Sequence, residues 1–156
     1  MNIRKHIATI IALFIGMSVL NAQNAKNSTP DSILGNYESE YSGQVYRVRV
    51  TKNPDGTYKA QNYYLKYPNG KDGKPLLDKK NPDNSLRNGP DSQVVLIEAL
   101  QYDPDKKSWG NAKIYDPSRG LKANVTAVFL PDGRLKLRGS VLGIGESIYW
   151  APVTEK

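Results

Sequence analysis

The most polar group of residues in the sequence falls between positions 67 and 90. Asp78, Asn81, Asp83 and Arg87 lie close together along this segment. An arginine guanidinium binds a carboxylate or phosphate through two parallel hydrogen bonds, so Arg87 could recognise an anion at a lid or rim. The same residues suit a loop that satisfies itself, with Asn and Asp bonding to nearby backbone and Arg87 clamping a carboxylate. We favour the second interpretation.

Two other acidic positions suggest chemistry. Asp116 could act as a general base, but an Asp that accepts backbone hydrogen bonds at a turn explains Asp116-Pro117 better. Asp103 and Asp105 resemble a fragment of a calcium loop, yet the required Gly and terminal Glu are missing at the necessary spacing. We therefore expect no metal site.

Aromatic residues either line an apolar pocket with polar tips or fill a closed core, and the sequence leaves both outcomes open. The candidate ligand-binding residues are Tyr46, Tyr58, Tyr64, Arg87, Trp109, Tyr115, Arg138 and Trp150. The candidate loop and rim residues are Asp78, Asn81, Asp83 and Asp116.

The composition excludes several kinds of catalysis. The chain has no Cys, and its only His, His6, lies close to the N-terminus. Zinc, copper and iron therefore lack their usual ligands over most of the chain, and Cys–His and Ser–His–Asp catalysis are excluded there. We expect no cofactor and no enzyme activity. A hydrolase that acts through carboxylates such as Asp83 or Asp116 is the enzymatic alternative.

The N-terminal residues have the features of a secretory signal peptide. Arg4 and Lys5 precede an apolar run from Ile7 to Leu20, and a small-residue cleavage site ends at Ala22. We predict a signal peptide over residues 1–22, with an uncleaved anchor as the alternative, and a periplasmic or secreted protein. The basic residues behind the net charge of +7 are spread along the chain. This favours a soluble surface, with no nucleic-acid partner and no stable membrane anchor.

The elements that position these residues are strands. After the turn at 116–120, Leu121, Ala123, Val125, Ala127 and Phe129 alternate with mostly polar residues, which is typical of a strand with one buried face. The same pattern predicts strands at 35–41, 45–52, 57–65, 109–115, 121–130, 134–141 and 146–153. A further strand is predicted at 93–102, where apolar residues on both faces indicate a strand that is covered on both sides.

Short polar turns join most of these strands, so neighbours should pair antiparallel. We predict an all-β, eight-stranded meander that closes into a barrel and so removes exposed edges, with a two-sheet sandwich as the competitor. The barrel domain should span residues 35–153. It should follow a linker at 23–34, loose over 23–31 and with one helical turn at 30–34, and precede a tail at 154–156.

Several motifs, taken in order, resemble a family of small exported bacterial proteins known as domain of unknown function 2147. They are Asp78 with Lys80-Asn81-Pro82-Asp83, Leu86-Arg87, Lys113 to Pro117 with Gly120, Leu135 to Gly139, and Tyr149-Trp150, after an opening Gly35-Asn36-Tyr37. The resemblance implies a lipocalin-like plan without an established activity. It also implies that Arg138 or Arg134 packs on the ring of Tyr37, as a late-strand arginine does in lipocalins.

Together these features favour a monomeric, exported, lipocalin-like protein that binds a small apolar or amphipathic molecule. One alternative is an envelope structural, stress or partner-binding protein with a filled barrel, marked by an exposed apolar patch larger than a few hundred Å². The other is the carboxylate-dependent hydrolase.

Overall fold

The computed structural model describes residues 22–154. The predicted signal peptide falls outside the described residues apart from Ala22, and so does most of the predicted tail. Within residues 22–154, no helix combines the length and apolar character needed to cross a membrane.

Eight antiparallel strands form one closed barrel in chain order. They are β1 (Gly35–Tyr41), β2 (Gln44–Lys52), β3 (Tyr58–Leu65), β4 (Val95–Asp103), β5 (Ser108–Asp116), β6 (Leu121–Phe129), β7 (Leu135–Val141) and β8 (Ile144–Pro152). The predicted meander barrel is confirmed, and every predicted strand boundary lies within two residues of the observed one. The sandwich alternative is wrong, because β1 pairs with β8 and closes the sheet.

Successive connections alternate between the two ends of the barrel. The end that carries the turns at 53–57, 104–107 and 130–134 is covered by the N-terminal segment, and we call it the closed end. The other end carries the β1–β2, β5–β6 and β7–β8 hairpins and the long β3–β4 loop, and we call it the open end.

The segment at 23–34 is not the loose linker expected from its polar composition. Residues 22–27 form a helix, and Asn27 is buried with its side chain bonded to the backbone of Phe129. The predicted helical turn forms as the 3-10 helix Pro30–Ile33, whose Ile33 is buried at the closed end. Composition misled here because these polar side chains satisfy barrel groups rather than water.

Large aromatic side chains fill the interior toward the closed end. Trp109 meets the ring of Phe129 edge-on at 5.7 Å and that of Tyr102 at 5.2 Å, while Tyr37 packs on Trp150 at 6.0 Å. The fully buried Val48, Ile97, Leu135 and Leu137 pack among the rings. This part of the barrel is therefore a packed core and not a binding cavity.

Two β-bulges set which aromatic residues face inward. The β2–β3 register shifts between Arg47 and Val48, and the β5–β6 register shifts around Asn111, which has a φ of 51°. A one-residue shift moves the side chains that follow it to the opposite face of a sheet. Tyr64 consequently points away from the interior in which the sequence pattern placed it, and Tyr115, the cross-strand neighbour of Lys122, lies on the outer face of β5.

Candidate functional site

Strands β1 and β8 separate toward the open end. They pair only at Tyr37–Pro152 and at Glu38–Ala151, whereas the β1–β2 ladder continues to Tyr41. Beyond the last β1–β8 pair, each strand keeps a hydrogen-bonded neighbour on one side only. The barrel therefore has an opening in its wall at this seam.

The opening forms a cleft with a volume of about 450 Å³, which we call the seam cleft. Its lining residues are Ser39, Glu40, Tyr41, Glu146, Ser147, Ile148 and Tyr149. Small-molecule sites commonly have volumes of roughly 300–1,000 Å³ and combine apolar walls with a few polar groups. The seam cleft has a volume in this range and is open to solvent, and its lining sets two tyrosine rings and an isoleucine beside two serines and two carboxylates.

Arg119 lies at the edge of the cleft because of the turn that follows β5. Gly120 N–H donates to the carbonyl of Asp116 at 2.8 Å, which folds the turn back over the open end. The guanidinium of Arg119 then lies 3.5 Å from a carboxylate oxygen of Asp116, 3.5 Å from one of Glu146, and 5.9 Å from the ring centre of Tyr41. These separations exceed the 2.7–2.9 Å of strong charge-assisted hydrogen bonds, so Arg119 is held loosely.

The hydroxyl of Tyr41 at the cleft is partly buried and lies among charged groups of both signs. Burial raises the pKa of Tyr41, and the charges of Asp116 and Glu146 raise it further against the opposing charge of Arg119. The cleft thus favours a neutral phenol, and its lining carboxylates, Glu40 and Glu146, are the groups that could attract a positively charged ligand.

Four predicted ligand residues belong to the core instead of a cavity wall. Trp109 donates to the carbonyl of Pro30 at 3.1 Å, and the Tyr58 hydroxyl donates to Asp31 at 2.6 Å. Trp150 donates to the hydroxyl of Tyr46 at 3.3 Å. All four rings are buried.

Of these four, Tyr46 and Trp150 come nearest to the seam cleft. Tyr46 is the cross-strand neighbour of Ser39, a lining residue, and Trp150 follows Tyr149. They support the back of the cleft, whereas Tyr58 and Trp109 serve the closed end.

Around Asp78, hydrogen bonds within the long loop and from β5 satisfy the buried polar groups. Asp78, 3% exposed, accepts hydrogen bonds of 2.6 Å from Asn81 Nδ2 and from the Tyr115 hydroxyl. Burial raises the pKa of Tyr115, and the bond to Asp78 adds to the effect. Arg87 donates to the main-chain carbonyl of Asn81 at 2.7 Å, which corrects the expected clamp on a carboxylate. Tyr115 therefore holds the loop against the outside of the barrel and does not line the interior.

Asp83 and Asp116 act as turn residues. Asp83 accepts from the backbone N–H and the hydroxyl of Ser85, and these bonds lower the pKa of Asp83. Asp116 accepts from the backbone N–H and the hydroxyl of Ser118 in the same way. Only Asp116 also stands near the seam cleft, through its contact with Arg119.

The arginine expected on the ring of Tyr37 is not there. Arg134 instead lies 4.9 Å from the ring centre of Tyr149 and pairs with Asp132 at 2.8 Å. Along β7, Leu135 and Leu137 face the core, so the alternating arginines, Arg138 included, face outward. Tyr64 is likewise on the outer surface, 40% exposed beneath the guanidinium of Arg47.

Sequence reasoning missed the residues that line the seam cleft. A usable signal existed, because Tyr37, Ser39 and Tyr41 share one face of the first strand, while Glu146, Ile148 and Trp150 share one face of the last. In a closed meander those two strands are neighbours. Pairing their inner faces would have indicated a mixed polar and aromatic patch.

A closed eight-stranded meander with a short N-terminal 3-10 helix and a cleft near one mouth defines a lipocalin-like barrel protein. The chain belongs to the bacterial family described as "Uncharacterized protein conserved in bacteria (DUF2147)", whose profile matches residues 27–151. This confirms the family resemblance inferred from the sequence motifs.

Comparison with solved structures supports the same fold. The chain is similar to HP1028 from Helicobacter pylori, which is described as belonging to the lipocalin family. The two share 24% sequence identity with a TM-score of 0.62, over 79% of this chain and 84% of that one. No curated protein gives a significant sequence match.

Proposed function

We propose that this protein is an exported binding protein for a small amphipathic molecule, which it holds in the seam cleft. The observation that carries the proposal is the cleft of about 450 Å³ where β1 and β8 separate. The lipocalin-like barrel is consistent with a ligand-binding role. Because aromatic rings fill the closed half, the proposed site moves from the centre of the barrel to its wall.

The lining suggests what kind of molecule would bind. Tyr41, Ile148 and Tyr149 offer apolar and aromatic surface to a hydrocarbon or ring. Glu40 and Glu146 favour a positively charged or hydrogen-bond-donating head group, which would exchange with the loosely held Arg119. An amphipathic amine should therefore bind better than a carboxylate of equal chain length.

A fluorescence titration tests the binding proposal. An alkylamine and the matching alkyl carboxylate, each below its aggregation concentration, are added to the Trp109→Phe variant, in which the tryptophan emission comes from Trp150 next to the cleft. We expect a saturable change with the amine and a weaker one with the carboxylate. The same response to both would refute the head-group assignment, and no saturable response to either would refute the binding proposal.

A matched pair of variants locates the site. Ser39→Phe places a ring at the cleft, while Ser140→Phe makes the same change on the outer face of β7. Binding should be lost in the first variant and kept in the second. Binding that survives Ser39→Phe would place the ligand elsewhere.

Export rests on the charged start, apolar run and cleavage site at residues 1–22. Fractionation of cells that produce the full chain tests it, with the mass of the purified protein as readout. We expect periplasmic or secreted protein that lacks the first 22 residues. Cytoplasmic protein of full mass would contradict the proposal.

A further inference from the structure

Two hairpin turns at the open end have the same backbone but different residues. Ser42 and Gly43 join β1 to β2 with φ values of 52° and 78°, and Leu142 and Gly143 join β7 to β8 with φ values of 51° and 81°. Two-residue turns with positive φ at both positions favour Asn-Gly or Asp-Gly. A bulky apolar residue resists this left-handed backbone, so Leu142 is an unfavourable choice at this position.

Leu142 is also the most exposed large apolar residue in the described part of the chain, at 98%. Ile144, at 83%, and Val141, at 53%, flank it on the same hairpin. Leu121, 60% exposed, starts the neighbouring strand, where continuing the β6–β7 register sets it opposite Gly143. We call Leu121, Val141, Leu142 and Ile144 the apolar tip.

The fold gains little from the apolar tip. Single exposed apolar residues are ordinary on a protein surface, but a cluster on one projection indicates a contact surface. At Leu142 the turn is strained and the side chain is almost fully exposed. Interactions within the chain therefore do not explain a leucine at position 142, whereas contact with a surface outside the chain would.

The outer face of β5–β7, which leads away from the tip, is basic. Lys113, Lys122, Lys136 and Arg138 belong to it, and none of the four forms an ion pair with a carboxylate in the described part of the chain. The field of Lys122 reaches Asp83, but without an ion pair. We call these four residues the basic face.

Two of the cations stand next to the tip. A Cβ placed on Gly145 would lie 3.2 Å from the guanidinium of Arg138, so Arg138 reaches across β8 just below the turn. Lys122 directly follows Leu121 of the tip and is exposed. The carboxylate of Glu146 is drawn instead to Arg119 at the seam cleft.

We propose that the apolar tip and the basic face dock this protein on an anionic phospholipid membrane. The aliphatic tip enters the boundary between head groups and acyl chains, while Lys122 and Arg138 contact lipid phosphates. Positive charge without matching carboxylates complements an anionic surface. The proposal does not depend on a ligand in the seam cleft, although Lys136 and Arg138 of the basic face are the cross-strand neighbours of Tyr149 and Ser147, which line that cleft.

Vesicle co-sedimentation of the purified protein tests the proposal. Vesicles of phosphatidylglycerol mixed with phosphatidylcholine are compared with vesicles of phosphatidylcholine alone, at low and high salt. We expect binding to the anionic vesicles that weakens as salt screens the basic face. Equal binding to both vesicle types, or binding to neither, would overturn the proposal.

Leu142→Asn separates docking from folding. Asn tolerates the left-handed turn, so the midpoint of urea unfolding should rise, while vesicle binding should fall by about tenfold because the apolar wedge is lost. A structural role for Leu142 would move both readouts down together. Unchanged vesicle binding in this variant would also contradict the proposal that the apolar tip enters the membrane.

Charge variants test the basic face. Lys122→Gln and Arg138→Gln should each weaken binding to anionic vesicles by about fivefold. Lys107→Gln, at an exposed turn of the closed end, is the matched control and should bind like the parent protein. Equal losses in all three would indicate a dependence on net charge alone and would contradict the assigned surface.

Discussion

The side chain of Asn27 pairs with both main-chain groups of Phe129. Its Nδ2 donates to the carbonyl oxygen at 3.1 Å, and its Oδ1 accepts from the N–H at 2.8 Å. The side-chain amide of Asn27 thus pairs with the end of β6 as a neighbouring strand would. Asn27 is 7% exposed, so these hydrogen bonds are shielded from water. This pair fastens the helix at 22–27 to the closed end.

Replacing Asn27 with Ala should lower the free energy of unfolding by about 1–3 kcal/mol, because the buried N–H of Phe129 loses its acceptor. Gln23 also donates to the carbonyl of Phe129, at 3.0 Å, so that group keeps one partner. Urea unfolding measures the change. Asn24→Ala, an exposed position on the same helix, is the control and should stay within about 0.5 kcal/mol. Equal effects would mean that the pair does not anchor the helix.

Two tyrosine hydroxyls give opposite expectations. Tyr115→Phe leaves an oxygen of buried Asp78 without its donor and should cost about 1–3 kcal/mol of unfolding free energy. The buried hydroxyl of Tyr63 has no partner among the described residues, so Tyr63→Phe should be neutral or slightly stabilising. Urea unfolding of both variants decides the matter. A larger loss of unfolding free energy in Tyr63→Phe than in Tyr115→Phe would contradict the hydrogen-bond assignment.

Asp91 should make stability fall as pH rises. Burial raises the pKa of Asp91 above its ordinary value of 3.8, with help from the charge of Asp78, and no described residue donates to its Oδ1. Between the two pKa values the folded protein binds more protons than the unfolded one, so the free energy of unfolding falls with increasing pH. Asp91→Asn should therefore be more stable at neutral pH by about 1 kcal/mol, with the advantage disappearing in acid.

Denaturant midpoints across a pH series check this prediction. Asp55→Asn serves as the contrast, because hydrogen bonds from Thr57 lower the pKa of Asp55. Removing Asp55 should lower stability at neutral pH, and this deficit should shrink as pH falls through the depressed pKa. A change in stability at neutral pH with the same sign in Asp91→Asn and Asp55→Asn would mean that the environment of Asp91 is misassigned.

Gly120 is required for two separate reasons. Its φ is +69°, and a Cβ there would meet the carbonyl oxygen of Lys80 well inside contact distance. Gly43 has a φ of +78° with open space around it. Gly120→Ala should cost more than Gly43→Ala, by about 1–3 kcal/mol, because only the first change adds overpacking to backbone strain. Limited proteolysis of the long loop offers a second readout, since Lys80 Nζ bonds to Ser118 of the same turn at 2.6 Å. Equal costs would rule out the proposed clash.

The strands and hairpins could be predicted because their causes are local. Alternation in β6 and the turn at 116–120 specify a strand and its reversal without reference to the rest of the chain. The hydrogen bonds within the loop around Asp78 could also be predicted, because they join residues close in sequence. The hydrogen bond from the Tyr115 hydroxyl to Asp78 could not, because it joins residues 37 positions apart.

The candidate site was not predictable residue by residue. Tyr64 was assigned to the same face as Tyr58 by counting alternate positions, but a one-residue bulge reverses the face of the residues that follow it. The position of a bulge depends on how neighbouring strands fit together. The alternation of apolar and polar residues along one strand does not reveal it.

The sequence alone determined eight strands, their order and their antiparallel pairing, because side-chain pattern and turn chemistry act over a few residues. Only the tertiary structure decided that the aromatic rings pack into a solid half-barrel and that the seam cleft opens between β1 and β8. Both outcomes depend on how the first strand meets the last, which brings together residues more than a hundred positions apart. Closure, filling and the opening in the wall are properties of the whole sheet, and no local pattern encodes them.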